Sequence, residues 1–482
     1  MSSCHPPHQY SSLIQEQQLA AAGKSPEPTS VLYNRSPSPP TSSSLGSSLK
    51  PDHHPIPPPN SIAAADVDDD WESVLMISGD MFAPHPQDSS FLRWIMVDAQ
   101  PHAIPHNPFP FEEPNQPQDE DALVEHLLDA ARHLDAGDIT TAKGILARLN
   151  HLLPSPSPLL RAAALLRDAF LLPPPPPSSP PLDVPLKLAA HKALADASPT
   201  VQFAAFTSTQ AILDALAAGN AARRVHIVDF DLAFGAHWPP LIHELARRSL
   251  TTSIKLTALV SPASRHPLEL HLTYETLTRF AADLAVPFEF NAVAFDPLAA
   301  ITSPATMGIS AAPDEAVAVH LPSGSGTFSP APAHVRLVKE LRPAVVVSVD
   351  HGCERGDLPL PHHALNILRS CAALLESLDA APAASQEMVS KVEQFILRPR
   401  VEHLALFAAG GGGGGEKAPP LQSMLASAGF APLQLSNAAE AQAECLLRRT
   451  SNDGFHVEKK TQAALALWWR RSELVSVSAW RC

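Results

Sequence analysis

The spacing of apolar residues divides the chain near residue 120. Beyond it, Asp119 and Glu120 suit a helix start, and Leu123, Leu127, Ala131 and Leu134 recur at helical spacing. DAGD at 135–138 breaks that helix. Gly137 suits a left-handed C-terminal cap, and Asp138 can cap the next helix. Ile145, Leu146, Leu149, Leu152 and Leu153 then form a second apolar face, which predicts an αα-hairpin. LLRAAALLRDAFLL (159–172) predicts a third helix, which the proline run at 173–181 stops. Further helices are expected at 184–196 and 210–217.

From residue 225 the pattern alternates. Apolar runs predict strands at 225–231, 254–261, 286–293, 316–321, 344–352 and 432–436. Helical spacing recurs between them at 239–249, 272–285, 334–342, 365–380 and 439–450. Near-continuous Val/Ile/Leu runs indicate strands covered on both faces, and strand–helix alternation indicates a parallel, doubly wound sheet. The fold class is therefore α/β. GFHVEKK (454–460) and ELVSVSAW (473–480) predict antiparallel edge strands flanking a helix at 462–471. GGGGGG (410–415) predicts a flexible loop.

Residues 1–118 are different. They hold much of the chain's 51 prolines and read as a disordered, Pro/Ser-rich tail. Two islands stand out at 68–76 and 89–98, DDDWESVLM (Trp71) and SSFLRWIMVD (Trp94). Aromatics in an acidic tail need a surface, either a partner's groove or the chain's own C-terminal domain. The 482 residues thus divide into this tail and a domain over 119–482, helical to about 220 and α/β over 221–482.

Net charge is −15, of which −11 falls in residues 1–120, where 4 basic residues face 15 acidic ones. Such a field does not draw a protein onto DNA or an anionic membrane. No zinc-finger, basic-zipper or homeodomain pattern is present, so any contact with promoter DNA is expected to be indirect. The five cysteines are scattered without a CxxC pair, the usage of a reduced compartment. No apolar run is long enough to span a membrane, and the N-terminus lacks a secretory apolar core.

The stretch VHIVDFDLAFGAHW (225–238) reads as strand, loop and helix start, which is how many cofactor-binding sheets begin. Sheets that hold S-adenosylmethionine use a loop resembling Asp-x-Gly-x-Gly-x-Gly, whose glycines let the backbone approach the ligand. Set on Asp229, the glycine positions are Asp231, Ala233 and Gly235. Only the last is glycine, and the second strand ends in ALVSP without the acid that holds a ribose. No cofactor is therefore expected. The alternative is a methyltransferase or small-molecule sensor using the 229–238 loop, with Asp229, Asp231 and Gly235 at the ligand. Otherwise Asp229, Asp231 and His226 make local hydrogen bonds that hold the loop. DHGCERGD (350–357) collects Asp350, His351, Cys353, Glu354, Arg355 and Asp357 at a strand end. It reads as a catalytic cluster or, with no cofactor site beside it, as an internally paired loop. No catalytic residue and no metal ligand is assigned.

These stretches together resemble the GRAS family of plant transcriptional regulators over residues 119–482. The leucine-rich region at 121–153, Val225-His226-Ile227-Val228-Asp229 for the VHIID motif, a second leucine-rich region at 254–290, and the PFYRE block at 320–400 occur in the family's order. Trp469, followed by Ser478-Ala479-Trp480, matches the closing SAW motif. WESVLM, FLRWIM, GILARLN, DHGCERGDLP, QAECLLRRT, GFHVEKK and SAWRC are similar to the HAIRY MERISTEM (Scarecrow-like) branch. The chain departs from the family where the PFYRE block lacks a clean arginine–glutamate pair, and it lacks the DELLA signature.

The resemblance implies a helical cap on a methyltransferase-like Rossmann core, often dimeric with itself or another GRAS protein. It implies a nuclear co-regulator of meristem and stem-cell maintenance that acts with WUSCHEL-related homeodomain and other transcription factors. Leu123, Leu127, Leu134, Ile145 and Leu149 are then candidate association residues, or ordinary core. Trp71 and Trp94 are candidate recruitment residues.

Overall fold

A computed structural model describes residues 116–482 apart from 150–155, 172–182, 219–223, 249–252, 262–264, 296–302, 354, 411–418 and 451. The tail islands with Trp71 and Trp94 lie outside the described residues, as does the glycine run beyond Gly410.

The expected hairpin is present as α1 (Gln116–Asp135) and α2 (Ile139–Arg148). Gly137 takes φ +80° between them, and the Asp138 carboxylate accepts the Thr141 N–H at 3.1 Å. Both termini therefore follow from local chemistry. The apolar stripe faces the chain's own core. Leu123, Leu127 and Leu149 are buried, and Leu134 and Ile145 pack against the same core. The layer over them is the chain's own α3 (Pro158–Leu171) and a later helix, α9 (Leu360–Asp379). Of the two readings of these five positions, the packing fits ordinary core. The exposed apolar residue of the hairpin is Ile139.

Helix α4 spans Asp183–Ala197, and α5 spans Thr200–Ala218, ten residues earlier than its spacing shows. The first half, TVQFAAFTSTQ, is poor in helix formers and has no amphipathic stripe. It is helical because it is buried all round: Phe203, Thr207, Ser208, Thr209 and Gln210 are all enclosed. It lies against the sheet.

Among the described residues nine strands form one sheet: β1 (Arg224–Asp229), β2 (Ser253–Val260), β3 (Phe288–Ala294), β4 (Glu315–His320), β5 (Val345–Asp350), β6 (Ala431–Pro432), β7 (Phe455–Thr461), β8 (Ala464–Trp469) and β9 (Ser472–Arg481). Their order is β3-β2-β1-β4-β5-β9-β8-β7, with β6 beside β9. The first five are parallel, and β9 enters antiparallel to β5. This is the expected doubly wound Rossmann core of methyltransferase type, closed by an antiparallel meander.

Alternate residues of each strand enter two separate cores. Val225, Ile227, Val345, Val347 and Val477 join the larger one, with α1–α5 and α9. So do α6 (Pro239–Arg247), α7 (Pro267–Asp283), α10 (Gln386–Val392), α11 (Arg398–Gly410) and α13 (Asn437–Arg449). Val228, Val319, Val346 and Trp480 join the smaller core, under α8 (Pro332–Glu340) and α12 (Leu421–Ser427). The helical layer is not confined to residues before 220. Helices α10 and α11, joined by a π-turn at Glu393–Leu397, pack on α4 and α3 respectively.

Two expected elements differ. The helix at 462–471 is instead strand β8, paired with β7 and β9 on either side. An Ala/Leu-rich run fits either period, and here Leu465, Leu467 and Trp469 alternate into the larger core. The strand at 432–436 is reduced to Ala431–Pro432. Pro432 has no N–H for a ladder, and Ser436 already turns the chain by accepting the Ala439 N–H as the cap of α13. Among the described residues no helix is long and apolar enough to cross a membrane.

Candidate functional site

The strand order reverses between β1 and β4, so a crevice is expected at their carboxyl ends. The last residues of these strands, Asp229 and His320, are register partners. Asp229 is completely buried and fully used. Its Oδ1 accepts the His320 Nδ1–H at 2.7 Å and the Asp231 N–H at 3.0 Å, and its Oδ2 accepts the Trp238 Nε1–H at 2.9 Å. A carboxylate only accepts here, so His320 carries its proton on Nδ1.

Asp231 is also spent. Arg265 forms an ion pair with it, and Thr327 Oγ1–H donates to it at 2.6 Å. Burial pushes its carboxyl upward, but Arg265 and Thr327 outweigh burial and hold it at about 2. Its charge is therefore internally neutralised. Arg265 also approaches Glu269, which binds Lys187 of α4 at 2.9 Å. The network thus ties the helical layer to the loop.

The loop itself makes three successive left-handed residues, with φ of 39° at Ala233, 58° at Phe234 and 74° at Gly235. At Gly235 a Cβ would lie 2.9 Å from Leu277 Cδ1, so glycine is needed for packing as well as conformation. Phe234 is buried, with its ring centroid 5.2 Å from that of His191. Side chains occupy the place where a glycine loop leaves backbone bare. The following helix α6 starts with Pro239 and Pro240, which lack the N–H groups that hold an anion at a helix N-terminus. Strand β2 ends in Val260 without an acid.

His226 is buried one residue into the motif. Its Nε2 meets Thr257 Oγ1 at 2.8 Å, across the β1–β2 seam. Burial first, then the Lys255 charge, lower its pKa to about 4. Val225, Ile227 and Val228 are core. The closing motif is elsewhere. Val346 pairs with Trp480 and Asp350 with Ser476, so Ser478, Ala479 and Trp480 lie toward the opposite end of β5 from the crevice. The Trp480 Nε1–H donates to Ser478 Oγ at 3.0 Å, and Trp469 is buried in the larger core.

In the DHGCERGD loop, Asp350 accepts the Gly352 N–H at 2.8 Å. Arg355 grips Asp357 with two hydrogen bonds of 2.9 and 3.0 Å. The Cys353 thiol is buried and donates to Gly324 O at 3.5 Å. These contacts are within the chain. Sequence reading placed Asp229 and Asp231 together in one loop but did not single out Trp238. It gave no sign of His320, Arg265 or Thr327, which arrive from other strands and loops.

The residues present do not fit S-adenosylmethionine. Two glycine positions carry side chains, the helix start lacks donors, and both loop carboxylates are occupied. Calorimetric titration of the full chain with S-adenosylmethionine or S-adenosylhomocysteine is expected to give no saturable heat at high micromolar ligand. Saturable micromolar binding would mean that this loop rearranges to admit a cofactor.

The model of the GRAS domain family matches residues 123–481. Scarecrow-like protein 6 of Arabidopsis thaliana is 39% identical over 373 residues, covering 75% of this chain and 63% of that protein. Scarecrow-like protein 27 of the same plant is 38% identical, covering 76% and 59%. The chain thus spans about three fifths of the length of these two relatives. The crystal structure of SCL7 in Oryza sativa superposes with a TM-score of 0.56 at 27% identity, covering 74% of this chain and 99% of that one. With its sheet order, its VHIVD strand and its closing SAW strand, the chain belongs to the GRAS domain family.

Proposed function

We propose that this chain is a nuclear transcriptional co-regulator that works by binding other proteins and not by catalysis. The observation that carries this reading is the state of the crevice. The fold keeps an enzyme-like sheet, yet both loop carboxylates are committed to the chain's own donors. A sheet of this kind serves as a scaffold as readily as a catalyst. The Scarecrow-like relatives support the regulatory reading, and the branch resemblance supports a role in meristem and stem-cell maintenance. The partners proposed are WUSCHEL-related homeodomain proteins and other transcription factors, with a second GRAS chain as a possible dimer mate. Promoter DNA would be reached through them. Because the hairpin leucines are core, the tail carries more of the recruiting role than the sequence alone suggests.

The test is a reporter assay with the full chain tethered to a DNA-binding domain. Trp71→Ala with Trp94→Ala is expected to change reporter output several-fold while leaving the thermal midpoint of the protein where it was. Unchanged output would remove the tail from the mechanism. A lowered midpoint would place those tryptophans in the fold instead.

A further inference from the structure

Arg400 on α11 is buried, 8% exposed, yet makes no hydrogen bond or ion pair among the described residues. Other enclosed arginines are paired. Arg161 binds Asp379 and Glu393, Arg167 binds Asp168, and Arg265 binds Asp231. A largely enclosed guanidinium without a counter-charge is unusual: its Nε is buried with no partner, and its remaining hydration is limited.

Its position is specific. The Arg400 backbone presses on Gly326, where a Cβ would lie 2.4 Å from Arg400 Cα. Gly326 belongs to the loop that follows β4, beside the Thr327 that binds Asp231. Arg400 therefore stands at the switch-point crevice. Two more buried atoms there have no partner, His320 Nε2 and His237 Nδ1, on rings whose centroids are 4.9 Å apart. Two acids of the crevice are already committed among the described residues: Asp229 is satisfied by three donors, and Asp231 is paired with Arg265.

These unmet groups define a ligand. The guanidinium fork calls for an oxyanion, which it can hold bidentately. His320 spends its Nδ1–H on Asp229 and leaves Nε2 without a partner, a place for a ligand hydroxyl, which can donate or accept. We propose that Arg400, His237 and His320 form a binding site for a small oxyanion that also carries a hydroxyl, a hydrogenphosphate or a hydroxycarboxylate, at the switch point of the sheet. The site requires no nucleoside pocket, so it is distinct from the S-adenosylmethionine site that the loop fails to form. It also stands apart from the regulatory reading, which survives if no anion binds.

The experiment is thermal unfolding of the full chain in inorganic phosphate, in malate and in chloride at matched ionic strength. For the parent, phosphate or malate is expected to raise the midpoint along a saturating curve that chloride does not reproduce. Which of the two does so distinguishes a phosphate head from a hydroxycarboxylate. Arg400→Met is expected to unfold no earlier than the parent without anion, because it removes an unpaired charge, and to bind the anion at least tenfold more weakly. His237→Gln, which retains Arg400, is expected to weaken binding by a smaller factor and serves if Arg400→Met folds poorly. General stabilisation by phosphate acts on parent and variant alike. An equal response in parent and variants would therefore overturn the proposal. So would a parent that phosphate and malate shift no more than chloride does, which would leave the crevice to water.

Discussion

Trp480→Ala is expected to cost about 3–5 kcal/mol of unfolding free energy, and Trp469→Ala a similar amount. Against a typical total of about 5–15 kcal/mol, either change removes much of the stability of the domain. The two rings are not redundant, because they lie in the two different cores. Trp480 is the one tryptophan of the smaller core beneath α8 and α12, among the described residues. Trp469 rests on Gly454, where a Cβ would come within 2.2 Å of the ring, and tilts against Phe455 at 4.8 Å between centroids. It therefore fixes the β7–β8 register as well as filling space. Urea unfolding followed by circular dichroism measures both. The variants separate packing from hydrogen bonding. The Trp469 Nε1–H is buried without a partner, so Trp469→Phe should lose far less than Trp469→Ala. A Trp480→Ala protein that unfolds as late as the parent would contradict the structural role given to this motif.

How far the fold could be read beforehand depended on whether the signal was local. The cap at Asp138 and the left-handed Gly137 were legible because each needs only its neighbours. The parallel strands were legible because burial on both faces leaves an unbroken apolar run. The first half of helix α5 and strand β8 were not, since both are enclosed and lose the polar face that reveals a period. The leucines of α1 and α2 illustrate a different limit. An amphipathic stripe looks the same whether it covers its own core or a partner, and only the positions of α3 and α9 decide between them.

The crevice shows the same division. Asp229 and Asp231 were visible as polar residues ending a buried strand. Their partners were not, because His320 reaches Asp229 through a register set by sheet order, across 91 positions of sequence. Arg265 and Thr327 likewise come from separate loops. An isolated Asp231 carboxylate would repel an anionic ligand, but Arg265 pairs with it. What excludes a cofactor is occupancy by the chain's own groups, more than the sign of one charge.

The stability of this protein is expected to fall as pH drops from about 6.5 to about 4, a window that begins well above the range in which ordinary carboxylates protonate. His191, His226 and His237 are each held neutral, with their pKa lowered to about 4. Burial is the main cause in all three. Arg265 and Arg400 add to it at His191, Lys255 and Arg224 at His226, and His320 at His237, while Asp229, Asp231, Glu289 and Glu315 pull the other way. In the unfolded chain a histidine titrates near 6.5. Between these two values the unfolded state binds more protons, so stability rises with pH across the window. The contribution is complete above about 6.5 and is lost as pH falls toward 4. At pH 5 each histidine would have given up about 1–2 kcal/mol. His351, His363 and His403 are lowered by burial too and act in the same sense. Buried Asp350, Glu393 and Glu402 have raised pKa values and act in the opposite sense, offsetting part of the loss. Asp231, held at about 2, contributes nothing to this window because its own stabilisation is lost only below the ordinary aspartate value. Urea midpoints at pH 7 and pH 5 measure the net effect, and His237→Gln should flatten the curve by about one proton. Equal midpoints at the two pH values, with no change in slope for His237→Gln, would show that the crevice histidines are hydrated and free to charge in the folded protein.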